Sequence, residues 1–172
     1  MSLDNSYRAY GRYLVTFNRL NPLLDAAILR EAGLGPVTGC VIAGALNTKS
    51  RLGVLRGLLL NTGGEKADIV PLLAEIAQEA KKQPIVQGLA YAGGTNSLIF
   101  MRPDVGGRGA SSAEYTAEEM DALADELSER IDNLQVALDI TAADLTSLKR
   151  AADEMASRRR RGGGGGNGDD DE

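Results

Sequence analysis

From Thr116 onward an apolar or small residue returns at nearly every third or fourth position: Met120, Leu123, Leu127, Ile131, Leu134, Leu138, Thr141, Leu145, Leu148, Ala152 and Met155. That spacing is the stripe of a helix, and its near-sevenfold recurrence resembles a heptad seam. Its start is well marked. Thr116 with Glu119 three residues on forms a capping-box pattern, and Glu118 and Glu119 put negative charge where the helix dipole favours it. As one helix the stretch would be about 40 residues and about 60 Å long at 1.5 Å per residue. The alternative is a break at residues 139–141, with Thr141 capping a final helix and Asp144 at its third position. Either way, apolar faces elsewhere in the chain or on a partner must cover this seam.

The earlier segments have the required period. Between Asn5 and Arg30, Tyr10, Tyr13, Leu14, Phe17, Leu20, Leu24 and Ile28 step by three and four. Pro22 interrupts the pattern, which predicts a kink near Leu20 or two helices meeting at Asn21-Pro22 with Asn21 as the cap. Gly33, Gly35 and Pro36 stop it. Thr38 is expected to cap a second helix running to about Leu60, with Val41, Ile42, Ala45, Leu46, Leu52, Leu55 and Leu59 inward. Its small residues, Gly39 among them, allow close backbone approach, and Lys49, Arg51 and Arg56 form its polar side. A third helix is expected over Asp68–Gln83, with Pro71 tolerated in its first turn.

Only residues 81–102 read as β. Two short apolar runs flank Ala92-Gly93-Gly94-Thr95-Asn96, a hairpin signal over about 85–102, and Leu98 and Phe100 alternate with Ile99 and Met101 so that both faces are apolar. Pro103–Ser112 reads as a surface loop. The predicted fold is therefore mainly α, an antiparallel four- or five-helix bundle with one β-hairpin inserted before the last long helix. Residues 1–157 are expected to form a single domain, and the Arg, Gly and Asp runs of 158–172 a disordered tail.

Composition removes several functions. There is no histidine, which excludes the commonest general base and metal ligand, and the lone Cys40 offers neither a disulfide nor a thiolate metal set. No metal or cofactor is expected. No apolar run is long enough to span a membrane, and Met1–Tyr13 lacks a signal-peptide core, so a soluble cytoplasmic protein is expected. Charge is uneven: residues 1–60 are basic on balance and 114–154 strongly acidic, which argues against a nucleic-acid surface on the last helices.

In order, YLVTFNRLNPLLDAAI, LNTKSRLGVLRGLL, a third helix, a short polar motif, a hairpin and YTAEEMDALADELSERI resemble the HEPN superfamily of helical bundles. Many of its members are metal-independent ribonucleases of toxin–antitoxin and defence systems. The resemblance covers about Tyr10–Leu138. It places the family's Arg-Asn-three-residues-His motif on Lys82-Gln83-Pro84-Ile85-Val86-Gln87, with the spacing kept and the chemistry changed. Lys82 stands for the Arg, Gln83 for the Asn and Gln87 for the His. A glutamine amide neither takes up nor gives a proton near neutral pH, so the resemblance implies a bundle without the family's cleavage centre. The function expected is then a protein-interaction or dimerisation module. The other reading is RNA binding or residual cleavage through Lys82, with Tyr91 or Arg102. A homodimer is expected because the seam out to Leu145, Leu148 and Met155 outruns what the first helices can cover.

Overall fold

The computed structural model describes residues 3–61, 66–81, 89–94, 96–103 and 110–162. Helices α1 (Leu3–Asn18), α2 (Leu20–Glu31), α3 (Pro36–Gly44), α4 (Thr48–Asn61) and α5 (Ile69–Lys81) come first. Strands β1 (Leu89–Ala92), β2 (Ser97–Pro103) and β3 (Ala110–Thr116) follow, and then α6 (Ala117–Ala137) and α7 (Ala142–Gly162).

α1 forms because Ser6, Ala9, Tyr13, Thr16 and Phe17 fall on one buried face. Pro22 produces a kink rather than a capped break. Arg19, in the cap position of α2, keeps helical torsions (φ −68°, ψ −24°) and makes no side-chain cap. Asn21, expected as the cap, instead accepts a hydrogen bond at 2.9 Å from the Thr48 hydroxyl of α4. Pro22 sits in the first turn of α2, where its missing N–H matters least. α2 ends in a Schellman motif: Gly33, at φ 63°, donates to Arg30 and Leu34 donates to Leu29.

The expected single helix from Thr38 to about Leu60 is two. α3 stops at Gly44, and Asn47 caps α4 by accepting from the Ser50 N–H at 2.9 Å. Leu52, Leu55 and Leu59 are buried as expected, but Val41 (63% exposed) and Ile42 (42%) are not inward. The reason is the break itself, which separates the two halves of what would have been one stripe. Gly39 does provide a close approach: a Cβ there would lie 2.1 Å from a Leu29 side-chain carbon.

The bundle is also not uniformly antiparallel. Arg12 reaches Asp121 and Asp125, Arg19 reaches Ser128 and Asp132, and Arg30 reaches Asp139, so successive contacts advance together along both chains. α1 and α2 therefore run in the same direction as α6. Asn21–Thr48 and Asp25–Arg51 show the same for α2 and α4. The intervening elements carry the chain back each time: α3 between α2 and α4, and α5 with the sheet before α6.

The hairpin is part of a three-stranded antiparallel sheet in the order β1-β2-β3. Part of the predicted loop is strand, since Ala110–Thr116 pairs with Ser97–Pro103 in the register Phe100↔Ala113 and Leu98↔Tyr115. The signal missed was weak: Ser111, Ser112 and Glu114 are polar, and Tyr115 is the one large apolar residue of the run. On the inner face Phe100 sits between two small residues, Ala90 and Ala113, and Leu98 and Phe100 are fully buried. Tyr10 of α1 packs on Phe100 with ring centroids 5.0 Å apart, and Tyr115 meets its edge at 6.1 Å.

The long seam is divided at residues 138–141. α6 starts with the predicted capping box, Thr116 and Glu119 bonding reciprocally, and ends in a second Schellman motif with Asp139 at φ 54°. Thr141 and Asp144 then form another reciprocal cap, with Thr141 N–H donating to the Asp144 carboxylate at 2.8 Å. The break lets α7 turn back onto α3 and α2, which buries Leu148 and Ala151 and half-buries Leu145 and Met155. The apolar stripe that suggested a homodimer is thus largely covered within the chain. Met120, Leu127, Ile131, Leu134, Leu138 and Ile140 complete the core with Tyr13, Leu20, Leu24, Leu55, Leu59 and Ile76. No helix among the described residues is long and apolar enough to cross a membrane.

Candidate functional site

α5 ends at Lys81 and β1 begins at Leu89, so Lys82, Gln83 and Gln87 lie outside the described residues, as do the glycine-rich residues 104–109 and residues 163–172 of the expected tail, whereas residues 158–162, also expected to be disordered, continue α7. The other two residues considered with Lys82 are separated across the sheet. Tyr91 lies on β1, 49% exposed, opposite Ile99, and Arg102 lies at the far end of β2, opposite Ser111.

The polar centre nearest the end of α5 is one the sequence did not reveal. Glu79 is buried, and Arg130 of α6 donates to its carboxylate at 2.8 Å. Glu75 and Glu126 lie 3.8 and 3.7 Å from the same guanidinium on its more exposed side. Arg130 is the single base within an otherwise acidic helix; Glu126 lies one turn before it, but only the packing of α5 on α6 brings Glu75 and the buried Glu79 to it. Burial first, and then the Glu79 and Tyr115 charges, push the Tyr13 phenol well above its ordinary value. Such a hydroxyl stays protonated at neutral pH, so this group of Tyr13, Glu79, Tyr115 and Arg130 offers no ready nucleophile. It reads as a buried ion pair that sets how α5 meets α6.

Cys40 behaves similarly. It is half-buried on α3, its Sγ faces the Leu148 carbonyl at 3.7 Å, and burial together with Asp25 raises its thiol. A raised thiol is less nucleophilic at neutral pH, which fits its reading as a small packing residue. Among the described residues no cluster of Cys, Asp or Glu has the arrangement of a metal site. Of the α4 bases, Arg51 turns inward and pairs with Asp25 at 2.6 Å, both side chains largely buried, while Lys49 and Arg56 are exposed.

Besides Tyr7 and Val15 on α1, Val54 and Leu60 on α4 and Val136 on α6, exposed large apolar side chains gather in two groups. The outer face of the sheet shows Leu89, Tyr91 and Met101, with Ile99 half-buried between them. α3 holds no charged residue and exposes Val37, Val41 and Ile42. The chain matches no family model, no curated protein and no solved structure.

Proposed function

We propose that this protein is a binding module that works through protein contacts and performs no acid–base chemistry of its own. The observation that carries this reading is the apolar surface of α3, where Val37, Val41 and Ile42 stand 49%, 63% and 42% exposed on a helix without a single charge. A water-facing helix with that composition fits a surface that meets a partner. The absence of histidine and the raised Tyr13 and Cys40 support the non-catalytic half of the reading. The resemblance to HEPN-like bundles, with Gln87 in the histidine position, supports it as well and suggests a toxin–antitoxin or defence setting. Association with a second copy and association with another protein are both forms of this function. With α7 covering much of its own seam, the case for a homodimer rests on the outer surfaces of α3 and the sheet.

The second reading, RNA binding or cleavage through Lys82, is carried by the motif spacing alone. Incubating the full chain with RNA tests both. We expect no cleavage, and no retardation that depends on Lys82. Cleavage lost in Lys82→Ala or Gln87→Ala would overturn the proposal.

A further inference from the structure

Between Ala32 and Gly64 the sequence contains no Asp or Glu, in a chain whose net charge is −5. The helix in the second half of this acid-free stretch, α4, buries Leu52, Leu55 and Leu59 and turns its opposite side to water. That side consists of Lys49, Gly53, Arg56, Gly57 and Leu60 at helical spacing, bordered by Val54. Leu60 is 54% and Val54 39% exposed, and a Cβ built at Gly53 or Gly57 meets nothing within 4 Å. Among the described residues neither Lys49 nor Arg56 forms an ion pair, whereas Arg51 on the inner side has Asp25.

Resting on the protein-interaction reading, we infer that this outer face of α4 docks an acidic amphipathic helix supplied by a separate protein. The two cations are seven residues apart, about 10 Å along the axis, and call for carboxylates two turns apart on the partner. Beside them the missing side chains of Gly53 and Gly57 leave room for an apolar residue to approach the α4 backbone, with Leu60 and Val54 at its edge.

The chemistry disfavours the other occupants. A second copy offers acids on α6 and α7, but Met120, Leu127, Ile131, Leu134, Leu148 and Ala151 of those helices are buried in its own core, and the one large apolar side chain they expose among the described residues, Val136, lies between Asp132 and Asp139, which already pair with Arg19 and Arg30. It therefore presents acids beside a single exposed apolar side chain rather than beside an apolar stripe. Two cations are also too few for a lipid surface, which is recognised by clusters of about four to eight Lys or Arg. Tracking a nucleic-acid backbone likewise needs clustered cations rather than two separated by apolar residues.

The test uses the full chain and a labelled synthetic helical peptide with leucine at every third or fourth position and glutamate on both flanks, followed by fluorescence anisotropy. We expect saturable binding that weakens with added salt. The double variant Lys49→Glu/Arg56→Glu should weaken it at least about tenfold and favour a matching peptide with lysine in place of glutamate. Gly53→Leu, which fills the notch without touching charge, should also weaken binding, while Val15→Lys on α1 leaves it unchanged. No binding, or binding indifferent to both α4 variants, overturns the inference. Sedimentation separates that outcome from failure of the broader reading. A chain that ignores the peptide yet self-associates, and loses this on Val41→Lys, remains an interaction module through α3. A monomer that ignores the peptide and binds RNA through Lys82 defeats both.

Discussion

The seam between α1–α2 and α6 and the outer side of α3–α4 both carry basic residues and use them in opposite ways. Along the seam Arg12, Arg19 and Arg30 each meet acids of the helix running beside them, and fully buried side chains such as Tyr13 and Leu127 lie beneath. On the outer side Lys49 and Arg56 face water beside exposed Val54 and Leu60. Exposed pairs of the first kind add little stability one by one. Their repeated spacing instead fixes direction and register, because only a parallel alignment of α1–α2 with α6 satisfies all three arginines. A cation without an acid opposite is left for something outside the chain.

The difference can be broken most directly by truncating a side chain in each region. Leu127→Ala removes a fully buried residue and should cost about 3 kcal/mol in urea unfolding, while Leu60→Ala should cost under about 0.5 kcal/mol. Equal costs would mean that the outer face of α4 is already covered.

Next in size is Arg130→Ala, which leaves the buried Glu79 carboxylate without its guanidinium. Because Arg130 is itself partly solvated, we expect a loss of about 2–3 kcal/mol in the same assay, at the lower edge of buried-pair disruptions. An effect near zero would place Glu79 in water.

The two Schellman ends give a smaller and opposed pair of effects. Gly33 and Asp139 occupy the same left-handed position, at φ 63° and 54°. Gly33→Ala should cost about 1 kcal/mol, and Asp139→Gly should relieve a similar strain despite losing the exposed contact to Arg30. Opposite shifts in melting temperature are the expected result. A destabilised Asp139→Gly would show that the Arg30 contact holds the α6–α7 turn.

The smallest effect is a pH dependence. The Thr141 side chain and then its backbone N–H hold the Asp144 carboxyl below its ordinary value, with a further contribution from Arg30. A depressed carboxyl stabilises the fold above its unfolded pKa, and this is lost as pH falls through the folded value. The melting-temperature gap between the native chain and Asp144→Asn should therefore stay constant from about pH 7 to 5 and close below about pH 4. A gap that widens in acid would reverse the assignment.

Periodicity and caps are legible in the sequence, since a helix is recorded locally in residues three and four apart. Thr116–Glu119 and Thr141–Asp144 lie within one turn of each other in sequence, and both form as reciprocal caps. Asn47 carried the same kind of signal, but the apolar residues on either side of it read as one stripe and hid the break. β3 is not legible in the sequence because, Tyr115 and Thr116 apart, a strand built of Ala, Ser and Glu declares itself through pairing with β2, which no local pattern records.

The sequence by itself determined that this chain is mainly helical, where its last helices begin, and that imidazole chemistry is closed to it. Tertiary structure alone decided which way the helices run against one another. It also decided which acid meets Arg130 and which of three bases on α4 turns inward. Those outcomes depend on residues as far apart as Arg12 and Asp125, whose encounter is set by the path of the whole backbone and not by any spacing along it.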